Sequence, residues 1–324
     1  MKIRWAGFAL CLGLIGCGGG DPAPVSTNAV EPQARKQTVI GIVSPALSST
    51  FHVTFVRGAV DEGVRLGWKV DSLAADRETN FAAQVNLVES LVRRKVDAIS
   101  ICAINDKAIV GAVEKANEAG IPIFIHNALT DLPGGKVEAY IGYNQRKAGQ
   151  LCGDYAMGLL TKKFGEPKGS VFVVEGIPGF HSNERTAGFL LALEGNPNVK
   201  LAGRTPANWE RQEAMNVGGA ALKANPEIDL FFGCSDAMAQ GAAQAAAEAG
   251  KQVYSIGIDG NPDTLKDIQQ GVMTASCAVY PEEMGRITIR SIADFLAGKP
   301  VERKIETPIA IIDSASLAQD LKAH

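Results

Sequence analysis

Asp259, Arg185, Trp209 and Phe51 are the side chains whose type and position could hold a small polar molecule. Asp259, in Gly-Ile-Asp-Gly, follows a strand-like apolar run. A carboxylate there can accept two hydrogen bonds from ligand hydroxyls, and such charge-assisted bonds are stronger than neutral ones. It could also serve as the turn or N-cap carboxylate before Asn261-Pro262. Arg185, in Glu-Arg-Thr-Ala-Gly-Phe, offers a planar fork of donors, or else a solvated charge in a first helical turn. Trp209 stands in the polar stretch Asn-Trp-Glu-Arg, where a core role is unnatural. Its ring could bury a face of C–H groups while hydroxyls point outward. Phe51 could do the same, yet it also begins an apolar helical stripe and fits a core role equally well. Ser235 and Asp236 open a helix after a strand. Asp236 reads as a helix N-terminal carboxylate favoured by the dipole.

No catalytic set emerges. The histidines, His52, His126, His181 and His324, show no HxxxH spacing. There is no G-x-S-x-G elbow, and no G-x-G-x-x-G follows the first strand-like run. Glu175 and Asp259 could form an acid/base pair, but nothing in their spacing demands it. The cysteines show no CxxC or other metal-ligand spacing. No metal and no cofactor are implied.

These residues must be positioned by an alternation of short β-rich runs and helix-length segments. Strands are predicted at Thr38–Val43, Lys69–Leu73, Asp97–Cys102, Ile121–Ile125, Ser170–Glu175, Val199–Arg204, Ile228–Phe232, Gln252–Ile258 and Met273–Val279. Each is short and rich in Val or Ile, as strands buried on both faces should be. Helices are predicted at Phe51–Leu66, Phe81–Arg94, Ala108–Ala119, Gln145–Phe164, Thr186–Leu193, Gln212–Leu222, Ala237–Ala249 and Met284–Leu296. Several stop at glycine: Gly67, Gly120, Gly250 and Gly298. The order implies parallel sheets covered by helices on both faces. There are too many β/α pairs for one small sheet. The alternation breaks at Lys136–Tyr143, where a β-like run arrives with no helix before it, marking a crossover between two lobes. Ligands of open α/β sheets sit beyond the carboxyl ends of the strands, where Asp259, Arg185, Trp209 and Phe51 fall.

Those post-strand segments carry a resemblance. LSSTFHVTFVRGAVDEGVRLGW (Leu47–Trp68), GDY (Gly153–Tyr155), NERTAGF (Asn183–Phe189), PANWER (Pro206–Arg211), FFGCSDAMAQGA (Phe231–Ala242) and SIGIDGNPD (Ser255–Asp263) resemble the periplasmic sugar-binding proteins, ribose-binding branch. The resemblance is collinear from about Thr38 to Asp313. It implies an α/β fold of two similar doubly wound parallel-sheet lobes joined by a three-crossover hinge, the periplasmic binding protein type I architecture. Crossovers fall near Tyr143, Val279 and Ile309. The first lobe would comprise residues 38–143 plus 280–309, and the second 144–279 plus 310–324. The implied ligand set is Ser49, Phe51, His52, Cys102 and Asn127 from the first lobe and Arg185, Trp209, Ser235 and Asp259 from the second.

The chain departs from the ribose-type pattern. Ser49 replaces an asparagine, His52 an aromatic, Asn127-Ala128 an Asp-Arg pair, Ser235 an asparagine and Val279 a glutamine, while Cys102 replaces a polar residue. Hydrogen-bonding capacity is reduced and one opposed charge pair is lost. A site built to bond hydroxyls discriminates strongly, so ribose in the usual pose is not the expected ligand. A deoxy sugar, a polyol or another small polar molecule is. His52 could favour an anion, but reads more simply as a neutral hydrogen-bonding group.

The front of the chain sets the compartment. Residues 1–16 have Lys2 and Arg4 before an apolar run too short to span a bilayer, the pattern of an export signal. Leu14-Ile15-Gly16-Cys17 resembles the bacterial lipobox, which implies cleavage before Cys17, lipid on its sulfur and attachment to a membrane outside the cytoplasm. Residues 17–37 read as a flexible tether. Cys102, Cys152, Cys234 and Cys277 remain in the body of the chain and are expected as free, buried thiols, although an oxidising compartment allows disulfides. Net charge is −3 with no long basic block, which argues against nucleic acid as a partner. The expected protein is a monomeric solute-binding lipoprotein of an ABC-type sugar importer. It would hold a monosaccharide or similar polyol by hinge closure and dock on a membrane permease. A ligand sensor for a chemoreceptor or kinase is the alternative. A transcription regulator lacks its helix-turn-helix here, and an extracellular sugar enzyme would reveal itself by turnover.

Overall fold

The computed structural model describes residues 37–323. The export signal, the lipobox with Cys17 and nearly all of the tether lie outside the described residues. The body contains two six-stranded sheets. The first holds β1 (Val39–Ala46), β2 (Lys69–Ala75), β3 (Ala98–Ile101), β4 (Ile123–His126), β5 (Ala139–Gly142) and β11 (Lys304–Glu306), in the order β11-β5-β4-β3-β1-β2. The second holds β6 (Gly169–Glu175), β7 (Val199–Pro206), β8 (Leu230–Gly233), β9 (Tyr254–Asp259), β10 (Ala275–Ala278) and β12 (Ala310–Asp313), in the order β12-β10-β9-β8-β6-β7. The orders match strand for strand, and the two sheets differ only at one edge, where β12 is antiparallel and β11 parallel to its neighbour.

The predicted strands are all present, with ends shifted by up to three residues. Two differ from the expectation of burial on both faces. β2 and β7 are edge strands and are largely half-exposed or exposed. The Lys136–Tyr143 run does not start a new sheet; β5 pairs in parallel with β4 and completes the first one. β11 and β12 are additional strands, and β12 runs antiparallel to β10.

Helices α1 (Thr50–Arg65), α2 (Phe81–Arg93), α3 (Val110–Glu118) and α9 (Pro281–Leu296) cover the first sheet. The second is covered by α4 (Gln145–Phe164), α5 (Phe180–Glu194), α6 (Arg211–Ala224), α7 (Asp236–Glu248), α8 (Pro262–Gln269) and α10 (Ser314–Ala323). The chain passes between the sheets three times: from β5 into α4, from β10 into α9, and from β11 to β12. Gly67, Gly120, Gly250 and Gly298 follow the ends of α1, α3, α7 and α9 with φ near +70°, the left-handed stop that favours glycine.

Each lobe contains a close helix crossing made by glycines from both sides. Gly58 of α1 lies against the Glu282 carbonyl of α9, and Gly285 of α9 lies against the Phe55 carbonyl of α1. In the second lobe Gly149 of α4 meets the Arg185 carbonyl of α5, and Gly188 of α5 meets that of Arg146 in α4. Any side chain at these positions would push backbone from backbone. The crossings hold α1 and α5 rigidly, and these helices carry Phe51, His52 and Arg185.

Candidate functional site

A cavity of about 260 Å3 lies beyond the carboxyl ends of both sheets. It is just under the range of about 300–1,000 Å3 of sites for drug-sized ligands, a scale that suits a small molecule. All nine residues of the expected ligand set line it: Ser49, Phe51, His52, Cys102 and Asn127 from the first lobe, and Arg185, Trp209, Ser235 and Asp259 from the second. Val279 is fully buried in the core and is not among the lining residues.

Ser49 is the N-cap position of α1, which brings Phe51 and His52 into its first turn at the cavity wall. Their rings meet edge to face, with centroids 5.1 Å apart. Phe51 is 4 % exposed and belongs to the apolar core as well as the cavity wall. Burial, with smaller contributions from His181 and Arg185, lowers His52 to about 3. His52 is therefore neutral at physiological pH, in line with the simpler reading of it. Burial pushes the Cys102 thiol up to about 12, which keeps it protonated and unreactive. All four cysteines of the body are free and buried.

Arg185 is the organising cation. Its Nε donates to Gln145 Oε1 at 2.7 Å, Nη1 to the Cys234 carbonyl at 2.6 Å and Nη2 to the Tyr143 hydroxyl at 2.6 Å. Nη1 also lies 4.0 Å from Asp259 Oδ1. The guanidinium carbon is 5.3 Å from the Trp209 ring centre, within cation–π range. A fork held on three sides keeps its geometry without ligand, which lowers the cost of binding.

Asp259 ends β9, only 5 % exposed. Oδ2 accepts from the Asp236 backbone N–H and from Asn261 Nδ2, both at 3.3 Å. Burial and the neighbouring Asp236 carboxylate raise its carboxyl, and Arg185 opposes this. Asp236 begins α7 as expected of a helix N-terminal carboxylate, but it does more. It accepts the backbone N–H groups of Gly260 and Asn261 at 2.9 Å and the Ser276 hydroxyl at 2.6 Å. It thus fixes the turn that presents Asp259. Ser235 caps α7, its Oγ accepting the Met238 N–H at 3.3 Å, which leaves its hydroxyl proton for a ligand.

Among the described residues six non-glycine positions have positive φ, and three of them line the cavity: Asn127 (+64°), Trp209 (+68°) and Asp259 (+151°). Asn208 (+50°) precedes Trp209, and Tyr280 (+51°) stands where the chain leaves the second sheet for α9. Backbone strain persists only where the surroundings over-determine it, and such residues cluster at ligand sites and switch points.

A family model described as periplasmic binding protein domain matches residues 40–300. The chain belongs to the periplasmic binding protein family. Relatives of this periplasmic binding protein include the "Ribose import binding protein RbsB" of Bacillus subtilis (strain 168), 30 % identical over 279 residues, spanning 86 % of this chain and 88 % of the relative. The "D-allose-binding periplasmic protein" of Escherichia coli (strain K12) is 30 % identical over 287 residues, covering 86 % and 91 %. Among solved structures, an ABC transporter periplasmic solute-binding protein from Actinobacillus succinogenes 130z with bound D-allose superposes with a TM-score of 0.80. It is 27 % identical over 87 % of this chain and all of the other.

Sequence reasoning missed several lining residues of this periplasmic binding protein, notably Glu78, His181, Glu210 and Asn261. Glu78 sits in the connection between β2 and α2, its side chain 13 % exposed and its Oε1 3.7 Å from His52 Nε2. Burial, reinforced by Glu210 and opposed by Arg185, pushes it up to about 8. His181 begins the wall on the other side. Its Nε2 lies 3.0 Å from the Asn127 carbonyl, linking α5 to the end of β4 across the cleft. Gln145 Nε2 donates to the same carbonyl at 2.9 Å. The signal for His181, Glu210 and Asn261 was their place among the post-strand residues; Glu78 also follows a strand, β2, but in a stretch that reads as solvated.

Proposed function

We propose that this protein is the solute-binding lipoprotein of an ABC-type importer and takes a monosaccharide or similar small polyol in the cleft. The observation that carries the reading is the cavity wall itself. A fixed guanidinium and a buried carboxylate, Arg185 and Asp259, share one cavity with the rings of Trp209 and Phe51. Polar groups that bond hydroxyls beside rings that cover C–H faces are what a sugar requires. A micromolar dissociation constant corresponds to about −8 kcal/mol. A few charge-assisted hydrogen bonds at roughly 1.5–3 kcal/mol each reach that scale after the cost of ordering. The likeness to ribose-import and allose-binding proteins supports the same class.

The proposed lobes are residues 38–143 plus 280–309 and residues 144–279 plus 310–324, hinged at the three connections between the sheets. Ligand touching both lobes stabilises the closed form by its differential affinity for that form. The closed form then docks on a permease as a monomer. Cys17 is proposed to carry the lipid that holds the protein at the membrane; a Cys17→Ser variant should leave the membrane fraction, and retention there would refute the anchor.

The first experiment is a thermal-shift screen of the purified protein against pentoses, hexoses, deoxy sugars, polyols and cyclitols. A molecule that binds only the folded state raises the melting temperature by mass action. One clear hit recovered chemically intact supports a binding protein; a sugar consumed on incubation would indicate an enzyme, and no shift with any member would reject the sugar reading.

A further inference from the structure

The acidic groups around the cavity outnumber its cations. Its lining carries four carboxyl groups, Glu78, Glu210, Asp259 and Asp263, and two guanidiniums, Arg185 and Arg211. Arg185 is held by Gln145, Cys234 and Tyr143 and lies beside Asp259, so its charge offsets that carboxylate. Glu78 has no such partner. Its neighbour His52 is neutral and stands at 3.7 Å, beyond hydrogen-bond range. Glu210, the other carboxylate it faces, repels it. With no cation beside it the largely buried Glu78 carboxyl is held protonated at neutral pH, and an incoming cation lets it ionise.

Two further polar atoms on the same wall are unsatisfied. His52 and Asn127 are each 5 % exposed, and His52 Nδ1 and Asn127 Oδ1 have no hydrogen-bond partner. The amide nitrogen of Asn127 is directed to Cys102 Sγ at 3.8 Å, which leaves its oxygen for a ligand. Neutral His52 has one ring nitrogen without a proton, which can accept. The first-lobe wall therefore offers the Glu78 carboxyl, the Asn127 amide oxygen and a neutral imidazole. A hydroxyl brings one donor and no charge. An ammonium brings three donors, no acceptor and the missing positive charge.

Resting on the sugar-binding reading, we propose that the ligand is an amino sugar whose ammonium group is received by Glu78. Glu78 is then the residue that selects amine over hydroxyl, while Arg185, Asp259 and Trp209 hold the rest of the ring. The same imbalance disfavours anionic ligands such as sugar acids and sugar phosphates.

The test is calorimetric titration of the full chain with D-glucosamine, D-galactosamine and D-mannosamine, each beside its neutral parent sugar and its N-acetyl form, at a pH where the amine is charged. At least one amino sugar should bind ten-fold or more tightly than its parent and its N-acetyl form. Glu78→Gln should weaken that amino sugar at least ten-fold and narrow the gap to the parent. Parent sugars binding as well as their amino forms would overturn the assignment and leave the sugar reading standing. An amine preference that persists in Glu78→Gln would overturn the role of Glu78. Absence of binding by every sugar, charged and neutral, would overturn both. The comparison among wild-type titrations does not depend on the variant folding.

Discussion

The indole of Trp209 sits against the backbone of Gly176, so closely that a Cβ on Gly176 would clash with its six-membered ring. Gly176 follows β6 and Trp209 follows β7, so neighbouring strand ends define the ring's position. Gly176→Ala should push the indole out of place and weaken ligand binding by about 1 kcal/mol, the scale of one aromatic contact. Trp209→Ala should cost about 1–2 kcal/mol. Calorimetric titration with the ligand from the screen checks both; unchanged affinity in each would assign Trp209 to packing alone.

Asp259→Ala should abolish the ligand-induced rise in melting temperature while leaving a folded protein. Arg185 keeps its bonds to Gln145, Cys234 and Tyr143 in the variant, so the fork remains placed. The ligand-free melting temperature should stay within about 4 °C of wild type, the equivalent of 1–2 kcal/mol in a chain of this size. Undiminished ligand stabilisation would remove Asp259 from the site.

Glu78 costs the ligand-free protein stability as pH rises from about 4.5 to about 8. Its folded-state carboxyl is raised from 4.5 to about 8 by burial and by Glu210, with Arg185 opposing and neutral His52 alongside. A raised folded value means stability present below the unfolded value and lost as pH rises through the folded one. Glu78→Gln removes this loss. The variant should melt about 2–4 °C higher than wild type at pH 8.5 and no higher at pH 4. A difference independent of pH would contradict the burial of an uncompensated charge.

The histidines act at the other end of the scale. Burial lowers His52 to about 3 and His181 to about 4, and lowers His126 well below its ordinary 6.5. A lowered folded value in a base means stability lost as pH falls from 6.5 toward those values, because the unfolded chain takes up the protons. Melting temperature should therefore fall steadily below about pH 6. His126, stacked on Phe55 at 4.0 Å and bonded to Ser100 at 2.9 Å, should contribute most. His126→Gln should flatten this acid slope, and an unchanged slope would count against it.

The paired helix crossings should be intolerant of any side chain. Gly188→Ala or Gly58→Ala inserts a methyl against a carbonyl of the facing helix. Overpacking of this kind costs about 1–3 kcal/mol. Chemical denaturation should show it, whereas Gly158→Ala, which meets nothing within 4 Å, should be neutral or better.

Much of the fold was legible because its signals are local. Apolar runs between helices that stop at glycine reveal strand–helix alternation, and that alternation places ligand groups after strands. Phe51, Arg185, Trp209 and Asp259 could be picked out on that basis, and the structure brings all four to one cavity. β11 and β12 were not legible. Lys304–Glu306 is three residues with a charge at either end, and Ala310–Asp313 is four, too short for any period; each is a strand only because a partner edge lies beside it.

What the sequence determined by itself is therefore the order of elements and the chemistry available at strand ends, since both depend on neighbours a few positions apart. The tertiary structure decided which groups are buried together. Glu78 lies in the polar stretch Asp-Arg-Glu-Thr-Asn and looks like a solvated loop charge. Only folding sets it beside His52, 26 positions earlier, and within the field of Glu210 and Arg185. Likewise Asp236 reads as a helix-start carboxylate until β10 brings Ser276 to it and the Gly260–Asn261 turn closes over it. Desolvation and charge coupling depend on distance in space, and no spacing along the chain records them.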